Sequence, residues 1–169
     1  MDISQLFNQQ WYLAQYLTTG KNRELLFDWL IDLSVTPWTP LKESLIRRSD
    51  KVCGYRRRIN AVFPGYFFLK ADLNCQPVST IKRHSAFIDF VSFGSEPCHV
   101  NTAVVDGLMR MYPEPVLNPG AREELNTASQ RRLTNAQYQH LLQLENEPHP
   151  MSRISLLLEL VRRADVNGF

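Results

Sequence analysis

The chain has 169 residues, of which 44% are hydrophobic and 21% are charged, and its formal net charge is +2. This composition excludes a disordered chain, and the length suits one ordinary domain or two small ones. No apolar run approaches the roughly 20 residues that span a bilayer, and the N-terminus MDISQLFNQQ lacks the features of a signal peptide. We therefore expect a cytoplasmic protein with no membrane partner.

The first predicted elements are a strand, a helix and a hairpin. Residues 11–17 are rich in aromatic side chains, which favours a strand, and apolar side chains at helical spacing over 22–33 predict a helix that ends before Pro37. Residues 46–59 are polar and strongly basic around Gly54, a pattern that predicts a projecting hairpin.

The stretch AVFPGYFFLKA, residues 61–71, predicts a strand with two apolar faces. Alternate side chains of a strand point to opposite sides, so Tyr66 and Phe68 share one face while Phe67 and Leu69 share the other. One face packs on the core of its own domain. The other face is either core as well, which is the common fate of aromatic residues, or a binding surface.

Three further elements complete this half of the chain. We predict a short helix over 77–84, a strand over 86–93 whose alternating pattern ends at Gly94, and a helix over 102–111. Strands interleaved with helices around one sheet indicate an α+β fold.

A domain boundary is predicted at Pro113–Gly120, which holds three prolines and a glycine in eight residues. Such a stretch resists helix formation and favours an extended linker. Sixteen of the eighteen aromatic residues lie before residue 113, so composition changes at the same place. We predict one domain over 1–112, a linker over 113–121 and a second domain over 122–169.

The C-terminal part favours two helices. No glycine occurs between Ala121 and Asn167, whereas small β-barrels need tight turns that commonly use glycine. The one obvious break is Asn146–Pro150, which predicts a helical hairpin. The segment RISLLLELV, residues 153–161, nevertheless fits a helical stripe and a strand face equally well, and its periodicity does not choose between them.

Three motifs in order resemble the NusG family of transcription elongation factors: WYLAQ, FPGYFFLK, and FIDFVSFG followed by Pro97. Their order and spacing match the N-terminal domain of that family over residues 10–112. The resemblance implies an antiparallel sheet flanked by helices, a bacterial cytoplasmic location and RNA polymerase as partner. The C-terminal part lacks the glycines of the usual KOW β-barrel. Its RISLLLEL stretch resembles instead the helical hairpin of RfaH-type members, which can refold into a KOW-like barrel.

The resemblance implies two contacts with RNA polymerase. An apolar pocket for the clamp helices of the β′ subunit is expected from Phe63, Pro64, Tyr66, Phe68 and Phe93. A contact with the gate loop of the β subunit is expected at Ser79 and Thr80, where proline replaces the histidine of the family.

The resemblance also implies contacts with DNA. Arg56 and Arg57 of the basic hairpin are expected near upstream duplex DNA, with a salt-dependent affinity, although a basic stretch is as often only a solvated face. Single-stranded non-template DNA is expected along the first helix and the turn before the FIDF strand. The residues of that surface are Lys21, Arg23, Lys82, Arg83, His84 and Ser85. His84 and Ser85 differ from the Thr-Arg pair of RfaH-type members, so the DNA element they read does not carry over.

The resemblance further implies that the C-terminal hairpin masks the polymerase face until a signal releases it. The masking residues are expected to be Leu141, Ile154, Leu157, Leu158 and Val161. RfaH-type members add an interdomain ion pair, in which Arg153 matches the arginine but Asn60 stands at the acidic position. Apolar packing must then hold the closed state, and Arg153 needs another acceptor. In its barrel form the released part would contact ribosomal protein S10.

Other function classes have less support. No catalytic motif is present, and Cys53, Cys75 and Cys98 share no metal-ligand spacing, so we expect no enzyme, metal or other cofactor. FPGYFFLK superficially resembles the aromatic strand of an RRM but lacks the pattern that opens RNP1. The sequence therefore favours an RfaH-like antiterminator, monomeric and acting on a paused polymerase, over a general NusG factor and over a free-standing RNA-binding module.

Overall fold

The computed structural model describes residues 8–49, 54–113 and 133–166, excluding the side chains of 164–166. The strands are β1 (Gln10–Tyr16), β2 (Thr36–Trp38), β3 (Leu41–Arg47), β4 (Tyr55–Ala61), β5 (Tyr66–Ala71), β6 (Phe87–Phe90) and β7 (His99–Val100). The helices are α1 (Asn22–Asp32), α2 (Val78–Ile81), α3 (Thr102–Met111), α4 (Asn135–Asn146) and α5 (Pro150–Val166). None of these helices is both long and apolar enough to cross a lipid bilayer.

The main sheet is antiparallel, with β1 at its centre. Its order is β2-β5-β1-β6, and β7 pairs with β1 beside β6. The β1–β5 register places Leu13 opposite Phe68 and Ala14 opposite Phe67. Strand β2 lies at the edge, where Pro37 is tolerated because its missing N–H can face solvent. Strands β3 and β4 form a separate two-stranded ribbon.

One face of the sheet is covered by α1 and α2. Phe67 and Leu69 of β5 pack there with Leu26 and Leu30 of α1 and with Ile81 of α2. All five side chains are fully buried. This face forms the core that the alternation in residues 61–71 predicts for Phe67 and Leu69.

The opposite face is covered by α3, α4 and α5. Here the sheet and the loop before β5 contribute one set of apolar side chains and the three helices contribute another, and we call the whole set the shared cluster. Its buried members from the sheet side include Trp11, Leu13, Val62, Phe63 and Phe68. Those from the helices are Val104, Val105, Leu108, Leu141, Leu144, Ile154, Leu157, Leu160 and Val161.

Local signals define the C-terminal hairpin. The Thr134 side chain caps α4 by accepting from the Gln137 N–H, and the Gln137 side chain accepts from the Thr134 N–H in return. Helix α4 ends at Asn146 and α5 begins at Pro150, a residue that suits the first helical turn. The Asn146–Pro150 break is therefore confirmed as the turn of the hairpin.

The α+β prediction, with an antiparallel sheet flanked by helices and a C-terminal helical hairpin, is confirmed. The basic hairpin is longer than predicted because its paired region extends from Leu41 to Ala61. The predicted strand over 86–93 ends at Phe90, and the predicted helix over 77–84 is reduced to Val78–Ile81. The linker over 113–121 lies outside the described residues except for Pro113, and the division into two domains stays a prediction.

Candidate functional site

The aromatic residues after β4 line the inner side of the shared cluster. Phe63 and Phe68 are completely buried, and the ring of Trp38 lies 5.7 Å from that of Phe68. Tyr66 is only partly buried, and its hydroxyl accepts a 2.9 Å hydrogen bond from Gln15 Nε2. The structure therefore brings together three of the predicted pocket residues: Phe63, Tyr66 and Phe68.

Pro64 and Phe93 lie differently. Pro64 is exposed beside the cluster. Phe93 is 42% exposed and lies outside the shared cluster, so the structure does not bring it together with the other rings, and its role in a polymerase pocket stays a prediction. Strand β6 ends at Phe90 and the chain turns through Gly94, where φ is +152°, so Phe93 does not continue the strand that the sequence predicts over 86–93.

The outer side of the shared cluster comes from the C-terminal hairpin. Of the residues expected to mask the polymerase face, Leu141, Ile154, Leu157 and Val161 are buried and Leu158 is partly buried against the same cluster. Leu144 and Leu160 are also buried, which the sequence reasoning missed. A signal was available, since each lies three residues after another buried leucine.

Arg153 lies at the seam between the hairpin and the rest of the chain and is 92% buried, being 8% exposed. Its Nε donates to the carbonyl of Val62 at 3.1 Å, and its Nη1 donates to the carbonyl of Glu147 at 3.4 Å. Asn60 instead donates to Ser44 Oγ. The prediction that Arg153 lacks its acidic partner at position 60 is confirmed, and backbone carbonyls replace that partner.

The β3–β4 ribbon has two chemically different faces. Cross-strand partners share a face, so the pairs Arg47–Tyr55 and Leu45–Arg57 lie on one side. The pair Ile46–Arg56 lies on the other. Arg57 Nε is 3.0 Å from Glu43 Oε1, whereas no ion pair of Arg56 occurs among the described residues. Both arginines are exposed, but only the charge of Arg57 is matched by a carboxylate.

Two cations of the predicted single-strand surface are already paired with carboxylates. Lys82 Nζ lies 2.8 Å from Asp89 Oδ1, and this contact, with the Phe90 N–H, lowers the pKa of Asp89. Arg23 is paired more loosely with Glu24 at 3.6 Å.

His84 is fixed in place, while its neighbours on this surface are exposed. Its Nδ1 accepts from the Ala86 N–H at 3.1 Å, and its ring lies 5.3 Å from that of Trp29. Lys21, Arg83 and Ser85 are exposed. A tryptophan ring beside an imidazole, with two exposed cations nearby, is an arrangement that can bind unpaired bases.

The predicted gate-loop contact falls on α2. Ser79 is exposed and Thr80 is partly buried, with the α2 backbone following Pro77. Among the described residues no group of histidine, cysteine and carboxylate side chains is arranged to hold a metal ion.

Comparison with protein families decides the identity. The model of the family described as NusG, transcription termination factor nusG, matches residues 9–109, which is more than half of the chain. The chain belongs to the NusG family. Members of this family are transcription factors that bind RNA polymerase, and they are not enzymes. The NusG match includes every strand of the main sheet and ends before α4 and α5. A search of individual curated proteins gave no match.

Proposed function

We propose that this NusG-family protein is an RfaH-like antiterminator whose C-terminal hairpin covers its polymerase-binding face. The observation that carries the proposal is the shared cluster. Phe63 and Phe68 lie within the NusG match, whereas Leu141, Leu157 and Val161, which cover them, lie beyond it. Elements outside the family domain therefore occupy an apolar face inside it.

A comparison of the free energies of apolar burial and of hydrogen bonding indicates that apolar packing holds the closed state. Full burial of a leucine or valine side chain is worth about 1.5–3 kcal/mol, and the hairpin buries six such apolar side chains. A typical hydrogen bond adds about 0.5–1.5 kcal/mol, or somewhat more when one partner is charged. The two carbonyl contacts of Arg153 are therefore the smaller contribution.

In the proposed mechanism, release of the hairpin exposes Phe63, Tyr66 and Phe68 to the clamp helices of the β′ subunit. Aromatic anchors in a desolvated pocket commonly dominate the energy of an interface. Ser79 and Thr80 then face the gate loop of the β subunit, completing the contact with the bacterial polymerase in the cytoplasm. Binding to one polymerase conformation shifts its population and suppresses pausing and termination without any covalent step.

DNA contacts orient the factor on a paused complex. The ribbon face that carries Arg56 suits the phosphates of upstream duplex DNA. The surface around Lys21, Arg83 and His84 suits the non-template single strand. The refolding of α4 and α5 into a barrel that contacts ribosomal protein S10 stays a prediction. An RRM-like module is less well supported, because residues 9–109 match the NusG family, whose members bind RNA polymerase.

The experiment is transcription by purified RNA polymerase on a library of pause and terminator sequences. The full chain is compared with Leu157→Glu/Val161→Glu, which places two carboxylates in the shared cluster. We expect this variant to read through many sequences, and the parent chain to act at few. The matched control is Met151→Glu/Ser155→Glu, which places the same charges on exposed positions of α5 and should behave as the parent. Equal activity of both variants would contradict the proposal.

A further inference from the structure

A cavity of about 620 Å³ opens at the seam between the C-terminal hairpin and the rest of the chain. Three different elements contribute one arginine each: Arg23 from α1, Arg58 from β4 and Arg153 from α5. We call it the seam cavity. Its other lining residues include Glu24 and Asn60.

The seam cavity has an excess of positive charge. Glu24 is the one carboxylate among its described lining residues, against three guanidinium groups. Glu24 is 58% exposed and is paired with Arg23. Arg58 is exposed, and its side chain has no hydrogen bond or ion pair with any described residue. The lining is therefore short of negative charge.

The lack of a counter-ion in the seam cavity raises the free energy of the protein because Arg153 is buried there. It is 92% buried, and it hydrogen-bonds only to the neutral carbonyls of Val62 and Glu147, with no carboxylate paired to it among the described residues. It also lies in the first turn of α5, where the helix dipole disfavours a cation. A buried charge without a counter-ion is expensive, and an anion in the seam cavity would supply one.

We propose that the seam cavity binds a phosphate-bearing ligand and that this ligand holds the hairpin in its docked position. Guanidinium groups suit phosphate because they donate paired hydrogen bonds in a fixed geometry. The site is complete only while α5 is docked, since Arg153 comes from the hairpin and the other two arginines do not. A ligand at 100 times its Kd then favours docking by about 100-fold.

The test titrates pyrophosphate into the full chain and measures binding by calorimetry. We expect Arg58→Ala to weaken binding by about tenfold or more, the loss of one charge-assisted hydrogen bond. Arg58 is exposed, so this variant should fold as the parent does. Arg153→Met should abolish binding. The control is Arg163→Ala, which removes an exposed arginine of α5 that is paired with Glu159, and it should leave the affinity unchanged.

A second readout separates this site from general charge attraction. Pyrophosphate should slow amide hydrogen exchange in α4 and α5 of the parent chain but not of Arg58→Ala. If a nucleoside triphosphate displaces pyrophosphate and a single-stranded oligonucleotide does not, the natural ligand is a free phosphate compound. If only the oligonucleotide displaces pyrophosphate, the natural ligand is nucleic acid. No binding, or equal weakening by Arg58→Ala and Arg163→Ala, would overturn the proposal. None of these results depends on polymerase binding, so the proposed function stands or falls separately.

Discussion

Arg56 and Arg57 are neighbours in the chain, but strand geometry points their side chains to opposite faces of the β3–β4 ribbon. Arg57 is held 3.0 Å from Glu43, and Arg56 has no carboxylate partner among the described residues. Only an unmatched charge releases its full share of counterions when it meets a phosphate. The two arginines should therefore contribute unequally to DNA binding.

The prediction is that Arg56→Ala lowers the slope of log K against log salt for duplex DNA by about 0.9, the value for one phosphate contact. Arg57→Ala should lower it by less, because Glu43 already balances the charge of Arg57. Fluorescence anisotropy at several salt concentrations measures both slopes. If the two variants behave alike, or if Arg57→Ala has the larger effect, the assignment of the Arg56 face to DNA is wrong.

Single residues show where the sequence was informative. Alternation in residues 61–71 correctly separated Phe67 from Phe68, because the strand is regular there. The alternating pattern over 86–93 was less informative, because β6 ends at Phe90 and Phe93 lies beyond it. The acceptor of Arg153 was unpredictable for another reason. A backbone carbonyl such as that of Val62 has no sequence signature, and only the docked position of α5 brings it within reach.

Among the elements, α3 approaches the start of the C-terminal hairpin closely at Gly107. A Cβ atom placed on Gly107 would lie 2.9 Å from Leu141 Cδ1 and 3.2 Å from Leu133 Cδ1. An alanine would require these flexible leucine ends to shift slightly, but a large ring would require the hairpin to move. Gly107 therefore marks where docking depends on the absence of a side chain.

We predict that Gly107→Phe undocks the hairpin while the sheet stays folded, because Val104, Val105 and Leu108 still hold α3 in its place. Amide hydrogen exchange should accelerate by about tenfold or more in α4 and α5 but not in β1 or β5. Each 1.4 kcal/mol of lost docking free energy raises the population of the undocked hairpin about tenfold. Arg110→Phe puts the same ring on an exposed position of α3 and serves as the control. Unchanged protection in Gly107→Phe would contradict this account of the α3–α4 contact.

Long periodic elements were predictable and short ones were not. Helices α1 and α3 follow from apolar spacing, and the hairpin turn follows from the Asn146–Pro150 break. Strands β2 and β7 have three and two residues, too few to show a period, and β2 also contains a proline. They exist because β5 and β1 offer unpaired edges, which is a tertiary effect.

At the scale of the whole molecule, the protein consists of a NusG-family sheet whose two apolar faces are both covered. Helices α1 and α2, which cover one face, lie within the family match. The other face is covered by α3, α4 and α5, and of these α4 and α5 lie beyond the match. The sequence predicted the hairpin and most of its buried side chains. It left helix and strand equally possible over 153–161, and packing against the sheet favours helix here because α5 buries a helical stripe.

The most direct test of this account adds a fragment of the β′ clamp helices to the full chain and follows amide hydrogen exchange. If the hairpin and the clamp helices occupy the same face, binding must displace α4 and α5. We predict that their amides lose protection as the fragment saturates the protein, while the amides of β5 stay protected. A complex in which α4 and α5 remain as protected as in the free protein would contradict the central claim.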